Sequence, residues 1–209
     1  MSRPAGAGRR LQRGDRLVVA THNAGKMEEI AALLAPFGID VTSAGALGLP
    51  VPAETATSFT GNARLKAQAA AQATGLPALA DDSGLSVAAL EGAPGVQTAD
   101  WAETPQGRDF AMAMTKVWQA LEARQAPLPR RAAFRCALVL CWPDGAETAV
   151  EGRIDGQIVW PMRGDRGHGY DPIFQPDGHA ITFAEMDRWE KNRMSHRGVA
   201  FERLIAACL

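Results

Sequence analysis

The distribution of apolar and polar residues along the first quarter of the chain predicts a strand, a loop, a helix and a second strand. Residues 17–20 form a short, continuous apolar run, which is typical of a buried strand in a parallel sheet. The apolar residues of 26–34 share one helical face, Gly38 ends this helix, and residues 39–42 resemble a second strand. In α/β folds of this kind, ligands bind at the loop that follows the first strand.

The middle of the chain adds a second helix and another strand. An alanine-rich stretch over residues 59–74 predicts the helix, with Gly75 as its C-terminal stop. Residues 76–80 predict a short strand that ends at Asp81-Asp82-Ser83-Gly84, and apolar residues resume at 85–90. We therefore expect the two aspartates at the end of a strand.

The second half of the chain carries signals for a helix and a hairpin. Thr104-Pro105 is a typical helix start, for a helix that reaches about residue 124. Two longer strands, 132–142 and 147–154, flank the turn Pro143-Asp144-Gly145 and predict an antiparallel pair. This pair indicates a second lobe or an extension of the sheet.

Polar residues mark two helix starts nearer the C-terminus. Thr182, with Glu185 three residues later, resembles a capping box. Ser195 is expected to cap a last helix that reaches Cys208. With the preceding elements, these signals predict an α/β fold with a mixed β-sheet.

Composition and charge limit the classes of protein to which the chain can belong. With 209 residues, 46% of them hydrophobic, it can form one large domain or two lobes that share a core. The formal net charge of −1 argues against a stable nucleic-acid partner held by bulk electrostatics. No apolar run approaches the roughly 18 residues of a membrane span, so no membrane partner is expected.

The first residues are rich in arginine and lack the apolar segment of a secretory signal. We expect residues 1–15 to form a disordered basic tail, although their composition is also compatible with a transit peptide. Residues 16–209 are expected to form a single two-lobed domain.

The cysteines Cys136, Cys141 and Cys208 form no CxxC pair and no zinc spacing. Cys136 and Cys141 lie five residues apart in an apolar strand, so they point to opposite faces. We expect small core residues in a reducing compartment, and therefore a cytoplasmic protein.

The first of three polar clusters, Thr21-His22-Asn23-Ala24-Gly25-Lys26, lies between the first strand and the first helix. Backbone N–H groups at a helix N-terminus favour an anion, and Lys26 adds a positive charge for a phosphate oxygen. The spacing is not that of a Walker A loop. Alone, the cluster is equally typical of a polar turn with a solvated lysine.

The second cluster is Asp81-Asp82-Ser83-Gly84. Adjacent carboxylates repel each other and normally face water, a metal or a reacting group. Mg²⁺ prefers a few carboxylates together with substrate phosphates and water, and Glu54 is a candidate second ligand. Alone, the cluster is also typical of an Asx turn with local hydrogen bonds.

The third cluster, His168-Gly169-Tyr170-Asp171-Pro172-Ile173-Phe174, combines rings with glycines that let the backbone approach a planar ligand. Lys191, His196 and Arg197 bracket the start of the last helix, where donors would meet an anion or a keto oxygen. Alone, these stretches equally suit a glycine-rich turn and a basic helix end. Three such clusters in one chain favour a site that hydrolyses a nucleotide.

Four motifs follow one another along the chain: Thr21-x-Asn23-x-x-Lys26, Ala80-Asp81-Asp82-Ser83-Gly84-Leu85, Gly169-Tyr170-Asp171-Pro172-Ile173-Phe174 and Ser195-His196-Arg197-Gly198. Phe59-x-x-Asn62-Ala63-x-x-Lys66-Ala67 accompanies them. In this order they closely resemble the non-standard purine nucleoside triphosphate pyrophosphatases, the inosine/xanthosine triphosphatase family. The resemblance runs from about Leu17 to Leu204.

The resemblance implies a fold and an activity. The fold would be an elongated mixed β-sheet flanked by helices, in two lobes around a central cleft, and the chain would form a homodimer. The activity would be Mg²⁺-dependent cleavage of a small-molecule nucleotide, dITP, ITP or XTP, to the nucleoside monophosphate and pyrophosphate. Such an enzyme cleanses the nucleotide pool.

The resemblance also implies roles for individual residues. Thr21 to Lys26 would hold the triphosphate with help from Lys66, while Asp82 would be the general base and would bind the metal with Glu54. Further residues would contact the substrate or surround its base and sugar: Ser83, His168, Gly169, Tyr170, Asp171, Lys191, His196 and Arg197. Donors aimed at the 6-keto oxygen would reject adenine, which has an amino group there.

Two positions depart from the family pattern. His168 stands where relatives commonly carry phenylalanine, which changes the stacking strength and the response to pH. Gly61 stands where relatives often carry glutamate, which removes a carboxylate near the cleft and bears on any second metal contact.

Other functions stay open on the sequence alone: a related pyrophosphatase for other modified bases, a nucleotide sensor without turnover, and a structural interaction protein. The carboxylates of Asp81, Asp82 and Glu54 argue against the sensor, because a pure binder has little need of them beside phosphates. Polar clusters at so many strand ends disfavour the structural protein.

Overall fold

The computed structural model describes residues 9–209, apart from the side chain of Ala24. Within these residues the strands are β1 (Arg16–Val19), β2 (Asp40–Ser43), β3 (Ala78–Val87), β4 (Glu103–Thr104), β5 (Gly107–Arg108), β6 (Arg131–Cys141), β7 (Glu147–Ile158) and β8 (Phe174–Pro176). The α-helices are α1 (Ala24–Leu34), α2 (Phe59–Thr74), α3 (Phe110–Ala123), α4 (Arg188–Met194) and α5 (His196–Cys208). No helix in the described part is long and apolar enough to cross a membrane.

The main sheet has the strand order β2-β1-β3-β6-β7-β8. Strand β1 pairs in parallel with both β2 and β3, which agrees with the continuous apolar run of its sequence. Strands β7 and β8 pair in antiparallel fashion, and β4 and β5 form a separate antiparallel ribbon. The prediction of an α/β fold with a mixed sheet is therefore confirmed.

The chain divides into two compact units, and each is built from more than one stretch of sequence. Within the described residues, unit 1 comprises 9–82, 137–151 and 200–209, and unit 2 comprises 83–136 and 152–199. Unit 1 therefore carries the predicted phosphate and metal residues, and unit 2 carries those predicted around the base and sugar.

Helix α2 positions two polar side chains of unit 1. Its buried face is made mainly of alanines, among them Ala63 and Ala67, and it packs against β1. Short side chains keep the helix backbone close to the sheet. Asn62 and Lys66, which leave the same part of α2, consequently reach Asp82 on β3.

Aromatic rings fill the core of unit 2. Phe134 packs edge-on against Phe174, with ring centroids 4.7 Å apart, and stacks on Phe183 at 5.9 Å. Such aromatic pairs add packing energy to the burial of their surface. This cluster supports the loop that follows β7 and the start of α5.

The predicted strand end at the two aspartates is wrong. Strand β3 continues through Asp81 and Asp82 to Val87 as one element. Beyond the aspartates, Leu85 and Val87 are fully buried, so their burial favours continued extended structure. The carboxylates consequently belong to a regular strand, not to a turn.

The predicted helix start at Thr104-Pro105 is also wrong. Thr104 belongs to β4 of the ribbon and Pro105 to the turn that leads into β5, which begins at Gly107 with a φ of 115°. Helix α3 begins at Phe110, and the side chain of Asp109 caps it by accepting the N–H of Met112. Proline suits a turn as well as a first helical turn, so the signal was ambiguous.

The residues of the predicted capping box form a turn and do not begin a helix. Glu185 accepts the N–H of Thr182, but residues 183–185 form a turn, and α4 begins at Arg188 under an Asp187 cap. Two other predictions are confirmed: the hairpin of β6 and β7, and the capping by Ser195, whose hydroxyl accepts the N–H of Gly198.

Of the predicted disordered tail, residues 1–8 lie outside the described residues. The remainder is packed, which differs from the prediction. Leu11 is only 5% exposed, and its N–H donates to the carbonyl of Cys208 at 2.8 Å. The buried Leu11 anchors this stretch to the end of α5, together with the guanidinium of Arg10, which donates to the carbonyl of Ala206.

Candidate active site

The loop from Thr21 to Lys26 is organised by its own side chains. Asn23 caps α1, with its Oδ1 accepting the N–H of Lys26 at 3.1 Å, while its own N–H donates to Thr21 Oγ1. This pattern leaves the first-turn amides of α1, including that of Gly25, at a helix N-terminus, where the helix dipole favours an anion.

His22 contacts a second loop. Its Nε2 lies 2.7 Å from the carbonyl oxygen of Leu49. A carbonyl can only accept, so Nε2 carries the proton in this contact. The imidazole therefore anchors the segment after β2, and only its Nδ1 is left for a ligand.

Lys26 is paired with Asp81. Its Nζ lies 2.8 and 3.0 Å from the two carboxylate oxygens, and the Asp81 side chain is 5% exposed. The first aspartate of the pair is thus a partner of the phosphate-loop lysine. The sequence predicted a charge at Lys26 without its counter-ion, because the two residues are 55 positions apart.

Lys66 joins the two carboxylates that were predicted to bind a metal. Its Nζ donates to Glu54 Oε1 at 2.7 Å and lies 3.4 Å from Asp82 Oδ1. Asp82 is 8% exposed, and its other oxygen accepts from Asn62 at 3.3 Å. Glu54, Lys66 and Asp82 therefore come together as predicted.

The environment of Asp82 makes it a better base than an ordinary aspartate. Burial raises the pKa of its carboxyl, and the charges of Glu54 and Asp81 raise it further, while Lys66 and Asn62 oppose the change without cancelling it. Burial alone would lower the pKa of Lys66, but the surrounding carboxylates outweigh it and raise that pKa. Lys66 consequently stays protonated.

The donor set of unit 1 suits a divalent cation that is shared with a phosphate. The described residues contain no group of three or more His, Cys, Asp or Glu side chains arranged around one metal position. However, Glu54 and Asp82 already converge on one ammonium group, that of Lys66. Two carboxylates completed by phosphate oxygens and water are typical of Mg²⁺.

In unit 2, Asp171 organises the loop before β8. It is 3% exposed, and its carboxylate accepts both the N–H of His168 at 2.6 Å and the ammonium of Lys191. A Cβ on Gly167 would lie 2.1 Å from Asp171 Oδ2, and its φ of 78° also favours glycine. The exposed ring of His168 is thereby held on a braced backbone.

The side chain of Tyr170 differs from the prediction, because it faces the core of unit 2. It is 1% exposed, packs edge-on against Phe110 at 5.7 Å, and donates its hydroxyl to the carbonyl of Thr98 at 3.0 Å. Burial raises the pKa of this hydroxyl. Tyr170 can therefore offer a ligand only its backbone.

The start of α5 holds a ring and a cation. His196 is 9% exposed and stacks on Phe134, with centroids 5.0 Å apart and planes at 14°. The Nη2 of Arg197 lies 3.5 Å from Ser83 Oγ on β3. Three predicted residues of unit 2, Ser83, His196 and Arg197, are thus held by β3 and by the aromatic core.

Sequence reasoning assigned no role to two residues that make clear contacts in this geometry, although Asn62 stood in one of the quoted motifs. Asn62 contacts Asp82, and Phe134 supports His196. The signal for Asn62 was its spacing of four from Lys66 on α2, which places both on one helical stripe. Nothing in the local sequence of β6 distinguishes Phe134 from other core residues.

Comparison with known proteins agrees with this geometry. The model of the Ham1 family matches residues 17–207. A dITP/XTP pyrophosphatase from Ruegeria pomeroyi is 61% identical over 93% of this chain and 96% of its own length, and one from Caulobacter vibrioides is 57% identical over 93% and 98%.

Solved structures show the same similarity. A HAM1 protein from Coxiella burnetii superposes with a TM-score of 0.87 at 40% identity, covering 92% of this chain and 97% of its own. A nucleoside-triphosphatase / dITP/XTP pyrophosphatase from Mycobacterium abscessus gives 0.77 at 38% identity, covering 91% and 98%. The chain therefore belongs to the Ham1 family.

Proposed function

We propose that this chain hydrolyses the non-standard purine nucleoside triphosphates dITP, ITP and XTP to the nucleoside monophosphate and pyrophosphate. The contact of Lys66 with both Glu54 and Asp82 carries the proposal, because it joins a buried carboxylate of raised pKa to a cation position. The names of the relatives from Ruegeria pomeroyi and Caulobacter vibrioides support the substrate class.

Asp82 acts as the general base in this reaction. A water oxygen forms a bond to the α-phosphorus, the bond from that phosphorus to the α–β bridging oxygen breaks, and the proton of the water passes to Asp82. Lys26 and Lys66 neutralise charge on the pyrophosphate that leaves. The amides at the start of α1 bind its oxygens.

Glu54 and Asp82 would hold Mg²⁺, which supplies further neutralisation of the phosphate charge when it is bound. Asp81 takes no part in binding the ion, because its carboxylate is paired with Lys26. The residues for the metal and the triphosphate all belong to unit 1.

Unit 2 selects the base. The ammonium of Lys191 and the guanidinium of Arg197 donate hydrogen bonds to the 6-keto oxygen or to neighbouring acceptors, and the ring of His168 stacks on the purine. Against a 6-amino group these donors would be left unpaired, which gives discrimination of about 10⁴ in sites built to donate. Ser83, His196 and the backbone of 169–171 complete the contacts with base and sugar.

The enzyme works in the cytoplasm as a homodimer that removes deaminated nucleotides from the pool. Three buried cysteines outside any disulfide, all among the described residues, support a reducing compartment. All the residues assigned here lie within residues 16–209. Light scattering coupled to size exclusion measures the dimer directly.

Pyrophosphate release from ITP, dITP, XTP, GTP, ATP and dTTP, with and without Mg²⁺, tests the proposal. We expect Mg²⁺-dependent turnover that is strongest on the inosine and xanthosine substrates. Even turnover across the panel would contradict the assigned base selection. Tight nucleotide binding without turnover would instead identify a sensor.

A further inference from the structure

Asn62 is a buried polar side chain that the mechanism above does not use. It is 1% exposed on α2. Its Oδ1 accepts the N–H of Ala56 at 2.9 Å, and its Nδ2 donates to Asp82 Oδ2 at 3.3 Å. The amide therefore connects the segment that carries Glu54 with the strand that carries Asp82.

A carboxamide matches the chemistry of the two partners at this position. The N–H of Ala56 can only donate and an ionised carboxylate can only accept, so the group between them needs one acceptor and one donor. Aspartate would set a second carboxylate against Asp82, and alanine would leave a partly buried N–H without its partner. The asparagine carboxamide supplies the acceptor and the donor from two separate atoms, one for each partner.

The contacts of Asp82 are divided between its two oxygens. Oδ2 accepts from Asn62, and Oδ1 faces Lys66, whose ammonium also holds Glu54 at 2.7 Å. The Asp82 carboxylate is thus fixed from two directions. Glu54 is fixed at its side chain by Lys66 and, two residues further along, through the bond of Ala56 to Asn62.

Glycine at position 61 gives the same segment room to approach α2. A Cβ on Gly61 would lie 2.6 Å from the Cβ of Ala56 and 3.0 Å from Ser58 Oγ. The methyl group of Ala56 therefore occupies the space that a side chain at position 61 would need. With glycine there, the Glu54 segment lies directly on the first turn of α2, within reach of Asn62.

We propose that Asn62 is a positioning residue, which sets the orientation of the Asp82 carboxylate and ties the Glu54 segment to it. The two carboxylates then present one cation position. The inference rests on the proposed function, in which Asp82 takes the proton and holds Mg²⁺ with Glu54.

Substitutions of Asn62 test the role in the intact protein. In Asn62→Ala we expect kcat for pyrophosphate release to fall about 10- to 100-fold, as for residues that orient metal ligands, with KM changed less than about threefold. Mn²⁺ binding without nucleotide, measured by electron paramagnetic resonance, should weaken about tenfold. Asn62→Asp keeps the acceptor for Ala56 but loses the donor to Asp82, so its kcat should fall as well.

Gln72→Ala, an exposed change on the same helix, is the matched control and should leave all these quantities unchanged. Thermal unfolding identifies the variants that are folded, and if Asn62→Ala does not fold, the isosteric Asn62→Asp carries the test. Folded variants with wild-type kcat and Mn²⁺ affinity would overturn the role alone. A wild-type protein without turnover on any nucleotide would overturn the proposed function and this role together.

Discussion

Five charged side chains in unit 1 determine how one of them can act as a base. The carboxylates of Asp81, Asp82 and Glu54 lie among the ammonium groups of Lys26 and Lys66. Lys26 is paired with Asp81, so the ammonium group close to Asp82 is that of Lys66, which Asp82 shares with Glu54. Burial then raises the pKa of Asp82 and makes its ionised form more basic, at a cost to the folded state.

Asp82→Asn should abolish the reaction without destabilising the protein. Loss of a general base lowers kcat about 10²- to 10⁴-fold. The pKa of the Asp82 carboxyl is higher in the folded protein than in the unfolded chain. The contribution of this carboxyl to stability is therefore fully present below its unfolded-state pKa, and it is lost as pH rises through its folded-state pKa. At neutral pH the ionised Asp82 is therefore a net cost that asparagine removes.

The melting temperature of metal-free Asp82→Asn should accordingly equal or exceed that of the wild type at pH 7, and this advantage should disappear in acid. Calorimetry over a pH series measures both. The acid limb of kcat/KM in the wild type should lie above 3.8, the ordinary value for an aspartate. A clearly lower melting temperature of the variant at pH 7 would show that the contact with Lys66 outweighs the burial of Asp82.

Single residues also show how far sequence reasoning reaches. Lys66, Glu54 and Asp82 were each predicted from residue type and motif, and the structure brings their side chains together. The pairing of Lys26 with Asp81 was not predicted, since ion pairs between distant residues leave no local pattern. The orientation of Tyr170 was missed for a related reason: a hydroxyl can serve a ligand or the backbone of a distant loop.

Secondary-structure elements with a regular pattern of apolar residues were predicted correctly. Elements that contain polar residues typical of turns or helix starts were not. The alanine-rich α2 and the hairpin of β6 and β7 follow from their own patterns. Strand β3 was cut short because two aspartates look like a turn, whereas pairing within the sheet carries them through. Thr104-Pro105 was misassigned for a different reason: the same residues suit a helix start and the turn of a short local ribbon.

The loops on the two sides of β8 depend on glycine to different degrees. Gly167 and Gly178 have nearly equal φ values, 78° and 79°. A Cβ on Gly178 meets nothing within 4 Å, whereas one on Gly167 meets the Asp171 carboxylate at 2.1 Å. Substitution of Gly178 therefore tests backbone strain alone, whereas substitution of Gly167 tests the same strain together with the loss of the Asp171 contacts.

Gly178→Ala should lower the free energy of unfolding by about 1 kcal/mol, the cost of a left-handed backbone for alanine. Gly167→Ala should lower it by about 3 kcal/mol or more, because Asp171 must move away from Lys191 and leave a buried charge poorly paired. Urea unfolding of both variants measures the difference. Equal losses would mean that Asp171 moves freely and does not brace the loop.

For the whole molecule, the division into two units separates the residues proposed for the phosphate chemistry from those proposed for recognition of the base. Asp82 and Ser83 are consecutive in β3, and they are also the last residue of one stretch of unit 1 and the first residue of unit 2. A single strand thus carries a residue for each task. This organisation was not readable from the sequence, because each unit is assembled from separate stretches of the chain.

The three cysteines can report how these units open. Cys141 and Cys208 belong to unit 1 and Cys136 to unit 2, and each is at most 1% exposed. Burial, followed by the charge of Glu147, raises the pKa of the Cys141 thiol to about 11. Since the thiolate is the reactive form, both exposure and pKa protect this residue.

We expect all three thiols of the native protein to react with an aromatic disulfide reagent at least about 100-fold more slowly than in urea. That factor corresponds to an opening free energy of about 3 kcal/mol. Single-cysteine variants resolve the units, and Cys141 should react slowly at pH 8 even when exposed only locally, because its raised pKa keeps it largely protonated. If Cys136 alone reacted fast with the reagent in the native protein, unit 2 would open without unit 1. The residues assigned to base recognition would then belong to the less stable part of the fold.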